Sequence, residues 1–195
     1  MKKIFLLLSF MLLLNGCAAL QSQPQNYHQL TWHDRNIQLN KFDKWDAEGK
    51  LSISYQGETD IASFNWQQNK NNYLINISSP LNIIHFSING DNTQVTLAKS
   101  KTEIYTATNP EKLLQQQIGW QLPISNLMYW IKAIAAPKIS YQAKFDIYNH
   151  LVNLKQQGWI IHYSDFNSVN NIDLPTKIML QNSELKIKIS VKNWR

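Results

Sequence analysis

The stretch WDAEGKLSISY, residues 45–55, alternates without a break: Trp45, Ala47, Gly49, Leu51, Ile53 and Tyr55 hold the odd positions, and a polar side chain holds every even one. Successive side chains of an extended strand point to opposite faces, so this period of two predicts a strand with one buried and one wet face. The pattern recurs in Ala62, Phe64 and Trp66; in Tyr73, Ile75 and Ile77; in Ile84, Phe86 and Ile88; and in Val95 and Leu97. It returns in Trp159, Ile161 and Tyr163, in Ile178 and Leu180, and in Leu185, Ile187, Ile189 and Val191. Turn-forming pairs and clusters separate the runs, among them Gln56-Gly57, Asn69 to Asn72 and Asn89-Gly90-Asp91. Many short strands with one apolar face predict a mainly β chain, folded as an antiparallel barrel or sandwich.

Three segments leave the alternation. Residues 109–118, NPEKLLQQQI, begin with an asparagine suited to capping, place Pro110 in the first turn, and stop before Gly119, which predicts a short helix. Residues 125–135 carry Leu127, Trp130, Ile131 and Ile134 at helical spacing, with Ser125 as the expected cap and Pro137 beyond the end. Residues 30–42 form a third helix candidate, with Thr31 as its cap. The two central helices lie between two blocks of strands, so they must cross one face or one mouth of the sheet.

The N-terminus has a separate logic. Lys2 and Lys3 precede an apolar run from Ile4 to Leu14 broken only by Ser9, and Gly16 then precedes Cys17, the single cysteine of the chain. This is the form of a secretory signal peptide. The run is about half of the ~20 residues that a membrane-spanning helix needs. LNGC, Leu14 to Cys17, resembles the bacterial lipobox, which implies cleavage before Cys17 and acylation of that residue. Three acyl chains at about 0.8 kcal/mol per buried CH₂ would anchor the protein firmly. Ala18 stands where an aspartate commonly marks retention in the inner membrane, so the resemblance points to the periplasmic face of the outer membrane. The expected organisation is a signal peptide over residues 1–16, an acylated N-terminus and flexible tether over 17–28, and a single domain over 29–195.

Composition narrows the function. The formal charge of +6 falls to +4 once Lys2 and Lys3 are removed, and without a Lys/Arg cluster interleaved with aromatics the excess gives no case for nucleic acid. Lys186, Lys188 and Lys192 share a strand face and read as solvated. His28, His33, His85, His150 and His162 contain no i, i+4 pair, and no H-E-x-x-H, G-x-S-x-G or phosphate-cradling glycine loop occurs. The expectation is therefore no catalytic residue, no metal and no cofactor. One apolar residue sits oddly: in SSPLN, residues 78–82, Leu81 falls in a loop composition. It either folds back onto the body or dips into lipid, a contact of about 1.5–3 kcal/mol. The aromatic sheet face either fills with side chains or encloses a greasy cavity, and periodicity alone does not separate the two.

Several collinear segments together resemble the LolB family of outer-membrane lipoprotein receptors. They are W-x-A-x-G-K-L from Trp45 to Leu51, A-S-F-x-W-Q-Q from Ala62 to Gln68, S-P-L from Ser79 to Leu81, and G-W-x-L-P-x-x-x-L-x-x-W-I from Gly119 to Ile131. Q-x-G-W-x-I-x-Y from Gln156 to Tyr163, L-P-x-K-I-x-L from Leu174 to Leu180 and L-K-I-K-I from Leu185 to Ile189 complete the set. The resemblance implies an unclosed antiparallel β-barrel with a lid of short helices over a hydrophobic cavity. It further implies a monomer that takes acylated lipoprotein cargo from a LolA-like periplasmic carrier and inserts it into outer-membrane lipid without nucleotide hydrolysis. Leu81 matches the protruding leucine of the family's membrane-insertion loop. Leu51, Ile53, Phe64, Trp66, Ile75, Ile77, Ile84 and Phe86, with Trp130 and Ile131 from the lid, are the expected cavity lining. Asn82 and Ala133 stand where the family commonly has glycine, so the loop turn and the end of the second lid helix are expected to differ. Two other readings remain open at this point: an accessory envelope lipoprotein with a filled core and no cargo, and a lipid hydrolase.

Overall fold

The computed structural model describes residues 29–80 and 85–195. Helix α1 (Trp32–Lys41) leads into a meander of β1 (Lys44–Tyr55), β2 (Glu58–Asn69), β3 (Asn72–Ser78), β4 (His85–Gly90), β5 (Val95–Ala98) and β6 (Ile104–Ala107). Two helices follow, α2 (Pro110–Ile118) and α3 (Ile124–Trp130). A second meander then runs through β7 (Tyr141–Phe145), β8 (Leu151–Gln156), β9 (Trp159–Val169), β10 (Ile172–Gln181) and β11 (Leu185–Trp194). The strands form one antiparallel sheet in the order β6-β5-β4-β3-β2-β1-β11-β10-β9-β8-β7. The first and last strands of the domain thus pair at the centre, Leu51 opposite Ile189 and Ile53 opposite Ile187. Strands β6 and β7 are unpaired edges, so the barrel is unclosed, and the chain between them carries the two helices across the gap. The turns after β1, β8 and β10 lie at one end of the sheet, and α1 and the β7–β8 turn lie at the other.

The alternation sets the burial. In β1, Trp45, Ala47 and Ile53 are buried while Lys44 and Lys50 are exposed, and β11 buries Leu185, Ile187, Ile189 and Val191 in the same way. Gly49 is demanded by the centre of the sheet: a Cβ there would lie 2.0 Å from the Ser190 carbonyl oxygen. Strands β6, β7 and β8 carry no alternation that their sequences advertise. The two edges bury little, and β8 reaches the core through Leu151, Leu154 and Gln156.

The helices follow their end signals with one correction. Thr31 caps α1, its side chain accepting from the Asp34 N–H at 3.1 Å. Asn109 caps α2 at 2.8 Å from the Lys112 N–H, and Gly119 closes it with a φ of 85°, a left-handed conformation that costs glycine nothing. The expected 125–135 helix instead spans 124–130. Ser125 is not its cap: its N–H is satisfied from outside by the Glu111 carboxylate of α2 at 3.0 Å. The early end follows from Ala133, whose φ of 57° turns the chain out of the right-handed helix. Cys17, Leu81, Asn82 and Ile84 lie outside the described residues.

Candidate functional site

The concave face of β1–β4 and β11 meets α2, α3 and the chain between them around one cavity whose lining side chains are all apolar. Leu51, Ile53, Phe64, Trp66, Ile75, Ile77 and Phe86 line it from the sheet and Ile131 from the lid side. Ile88, Ile187 and Ile189 complete the sheet wall, and their positions continue the strand phases read above. Leu114, Trp120, Leu122, Ile124 and Leu127 form the roof. Only the α2–α3 connection among these lacks a periodic pattern that would have singled it out. Trp130 stands apart from the cavity. It is fully buried, its ring lies 6.0 Å from Trp159, and its Nε1 donates to Gln156 at 2.7 Å.

The free volume is about 50 Å³, room for a few water-sized molecules and far less than an acyl chain fills. The roof therefore packs closely against the sheet. Trp120 holds it edge-on to Phe86, with ring centroids 6.1 Å apart. Apolar contacts of this kind are non-directional, so parting them costs roughly 25 cal/mol per Å² exposed and refilling the space with hydrocarbon returns that cost. Beyond the roof the chain is pinned by polar contacts. Gln156 accepts from the Ala136 N–H and donates to the Ala136 and Ile139 carbonyls, all within 3.1 Å. Lys132, 5% exposed, donates to the Leu39 and Phe42 carbonyls at 2.9 Å each, tying the chain after α3 to the C-terminal end of α1. Burial pulls the Lys132 pKa down to about 8, against the partial support of the Asp43 charge.

The other half of the sheet holds a charged cluster that sequence reading missed. Arg35 of α1 donates to Asp173 of β10 at 2.8 Å, and both are 2% exposed. His150 bridges Asp173 and Asp146 through its two ring nitrogens at 3.0 and 2.8 Å, and it stacks on Phe166 at 4.3 Å. Burial opposes the Asp173 charge, but the hydrogen bonds and charges of His150 and Arg35 outweigh it and hold the carboxyl below its ordinary range. Burial pushes the Tyr73 phenol up to about 12 and the Tyr163 phenol well above its ordinary value. Among the described residues no group of three His, Cys, Asp or Glu side chains forms a metal site, and no helix is long and apolar enough to cross a membrane.

Comparison with known proteins gives a consistent result. The family described as "Outer membrane lipoprotein LolB" matches residues 43–194. The Coxiella burnetii outer-membrane lipoprotein LolB is 46% identical over 187 residues, 94% of this chain and 89% of the relative. The Francisella tularensis protein of the same name is 34% identical over 201 residues, 100% of this chain and 95% of that one. Among solved structures, a LolA superfamily protein from Nitrosomonas europaea superposes with a TM-score of 0.56 at 8% identity, covering 85% of this chain and 93% of its own. A putative outer-membrane lipoprotein-sorting protein domain from Vibrio parahaemolyticus gives 0.53 at 6% identity, with 83% and 90% covered. At such identities the structural likeness speaks for the fold alone.

Proposed function

The chain belongs to the LolB family of outer-membrane lipoproteins, and from that premise we propose that it is a receptor that accepts acylated lipoproteins at the periplasmic face of the outer membrane. Cys17 is the lipidated anchor, and a LolA-like periplasmic carrier is the donor. The observation that carries the reading is the all-apolar cavity between the sheet and a roof of two short helices. Cargo acyl chains enter by displacing the roof, so that each contact of the closed state is exchanged for a contact with hydrocarbon. Transfer then needs no nucleotide, because a tenfold preference over the donor is only about 1.4 kcal/mol.

Delivery is assigned to the connection between β3 and β4. It leaves the sheet beyond Ser78 and returns at His85, one step from the cavity residues Ile77 and Phe86, which pair across the two strands. Leu81 within it is the residue that meets lipid, a contact of about 1.5–3 kcal/mol, enough to touch a bilayer and too little to hold to it. The small volume of the closed cavity favours one second reading, an accessory lipoprotein whose core is simply filled.

An anchor-free Cys17→Ala protein lacking residues 1–16, mixed with a carrier loaded with one acylated lipoprotein, separates them. The receptor reading expects cargo to move to this protein at equilibrium, and Leu81→Glu to accept cargo but fail to release it into liposomes. Cargo that stays on a carrier able to donate to another acceptor overturns the receptor reading and leaves the filled-core one.

A further inference from the structure

Two exposed isoleucines flank the connection between β3 and β4. Ile61 of β2 is 58% exposed, and Ile104, the first residue of β6, is 56% exposed. Both lie on the outer face of the sheet. Ile61 pairs with Ser52, which stands between the cavity residues Leu51 and Ile53, and Ile104 precedes Tyr105, which packs inward opposite buried Leu97. The strands between them stop in steps. Ser63 of β2 pairs with Ser78 at the end of β3, and Ser78 pairs with His85 at the start of β4. Ile61 is one outward position beyond that row, toward the β1–β2 turn, and Ile104, level with Ser87 through Ala98, is one position short of it. Ile61, the two ends of the connection and Ile104 therefore follow one diagonal across the outer face. Past β1 the same face carries exposed lysines: Lys50, and Lys186 and Lys188 of β11 opposite Ser54 and Ser52. The acids of this end take the other phase, Glu58 opposite Tyr55 and Asp60 opposite Ile53 on the inner side, while Glu103 and Glu184 lie in turns at the margin, Glu103 two residues from Lys101.

We propose that this outer rim, Ile61 and Ile104 with Lys186 and Lys188 beside them, seats the protein on an anionic bilayer on both sides of the β3–β4 connection. The inference rests on the receptor reading, which sends that connection into lipid. The occupant follows from continuity: whatever surface the connection enters is the surface its flanks meet. The chemistry fits, with aliphatic tips for the acyl boundary and solvated lysines for anionic headgroups. A single side chain such as Leu81 leaves the domain free to tilt, whereas a line of contacts with lysines at one end sets the tilt. The tether permits the pose. Residues 17–28 extend to at most about 40 Å, the length of a twelve-residue strand such as β1, so a chain that enters the domain at the α1 end still lets the opposite end reach the bilayer. Because the bilayer is held at high effective concentration by the anchor, weak contacts suffice.

The test uses the acylated full-length protein carrying Ile61→Cys, Ile104→Cys or, in the exposed β7–β8 turn at the far end, Ile147→Cys, each with a nitroxide label and added to preformed vesicles of phosphatidylethanolamine and phosphatidylglycerol. The labels at 61 and 104 are expected to be about fivefold less accessible to a water-soluble relaxant than the label at 147, as for side chains seated at the headgroup boundary. Equal accessibility, or the reverse order, overturns the proposal. Exchanging phosphatidylglycerol for phosphatidylcholine, or combining Lys186→Gln with Lys188→Gln, should reduce the protection at 61, and protection that ignores both changes overturns the part given to the lysines. Cargo transfer by the same labelled proteins keeps the two readings apart: delivery with wet labels at 61 and 104 defeats the rim alone, and protected labels without cargo acceptance defeat the receptor reading.

Discussion

Beneath β1–β4 the inward side chains meet a roof across free space, and Phe64, Ile77, Leu122 and Ile189 keep 6–8% exposure. Beneath β8–β10 they meet one another: Leu151, Leu154, Ile161, Leu174 and Leu180 are at most 1% exposed, and a buried ion pair with a bridging histidine locks α1 against them. The first region is held by contacts that any hydrocarbon can replace. The second is held by contacts that depend on angle and charge and that no cargo reproduces. The proposed entry of cargo needs both, since a roof can lift only from a frame that stays put.

The largest effect is expected where the frame is cut. Asp173→Ala leaves Arg35 buried without its carboxylate and should cost about 3–5 kcal/mol in urea unfolding. A loss below about 1 kcal/mol would mean that this half is no firmer than the other. Because the folded pKa of Asp173 is depressed, its contribution is present above the unfolded value near 3.9 and is lost as pH falls through the folded one.

Next comes Lys132, held near 8 in the fold against an ordinary 10.5. Between those values the unfolded chain keeps a proton that the folded chain has released, so stability should rise with pH, by up to about 3 kcal/mol. Above pH 10 the raised pKa of Tyr73 works the other way and stability should fall again. Urea midpoints at several alkaline pH values trace this maximum, and Lys132→Met should flatten the rising limb.

Gln156→Leu probes the border between frame and roof. It strands the Trp130 and Ala136 donors and should cost about 2 kcal/mol while speeding cargo exchange, where a frame mutation would cost stability alone. The smallest effect is Ala133→Gly, which relieves a left-handed alanine and should stabilise by about 0.5–1 kcal/mol.

The inward faces around the cavity were legible in the sequence because they are strands, and alternation is set by backbone geometry that tertiary context does not alter, whereas the space between them was implied by the family resemblance alone. The phase that places Leu51 and Ile53 inward also places Ile187 and Ile189 inward on the paired strand. Edge strands β6 and β7 were not legible, since strands whose side chains are at most half-buried leave no clear apolar alternation in the sequence. The end of α3 was legible only as a departure at Ala133, and its cap not at all, because the carboxylate that accepts from the Ser125 N–H comes from another helix. Nothing in the sequence joins Arg35 to Asp173 across 138 residues, and a lone histidine such as His150 has no pattern to read.

The most direct test of the account is a photoreactive phenylalanine analogue placed at Phe64, in the cavity wall, and at Tyr141, on the exposed edge of the other half, each irradiated with acylated lipoprotein bound. The account predicts an adduct on the cargo's acyl chain from position 64 and none from position 141. Cargo that is bound yet crosslinks only from 141 would place the acyl chain outside the cavity and contradict it.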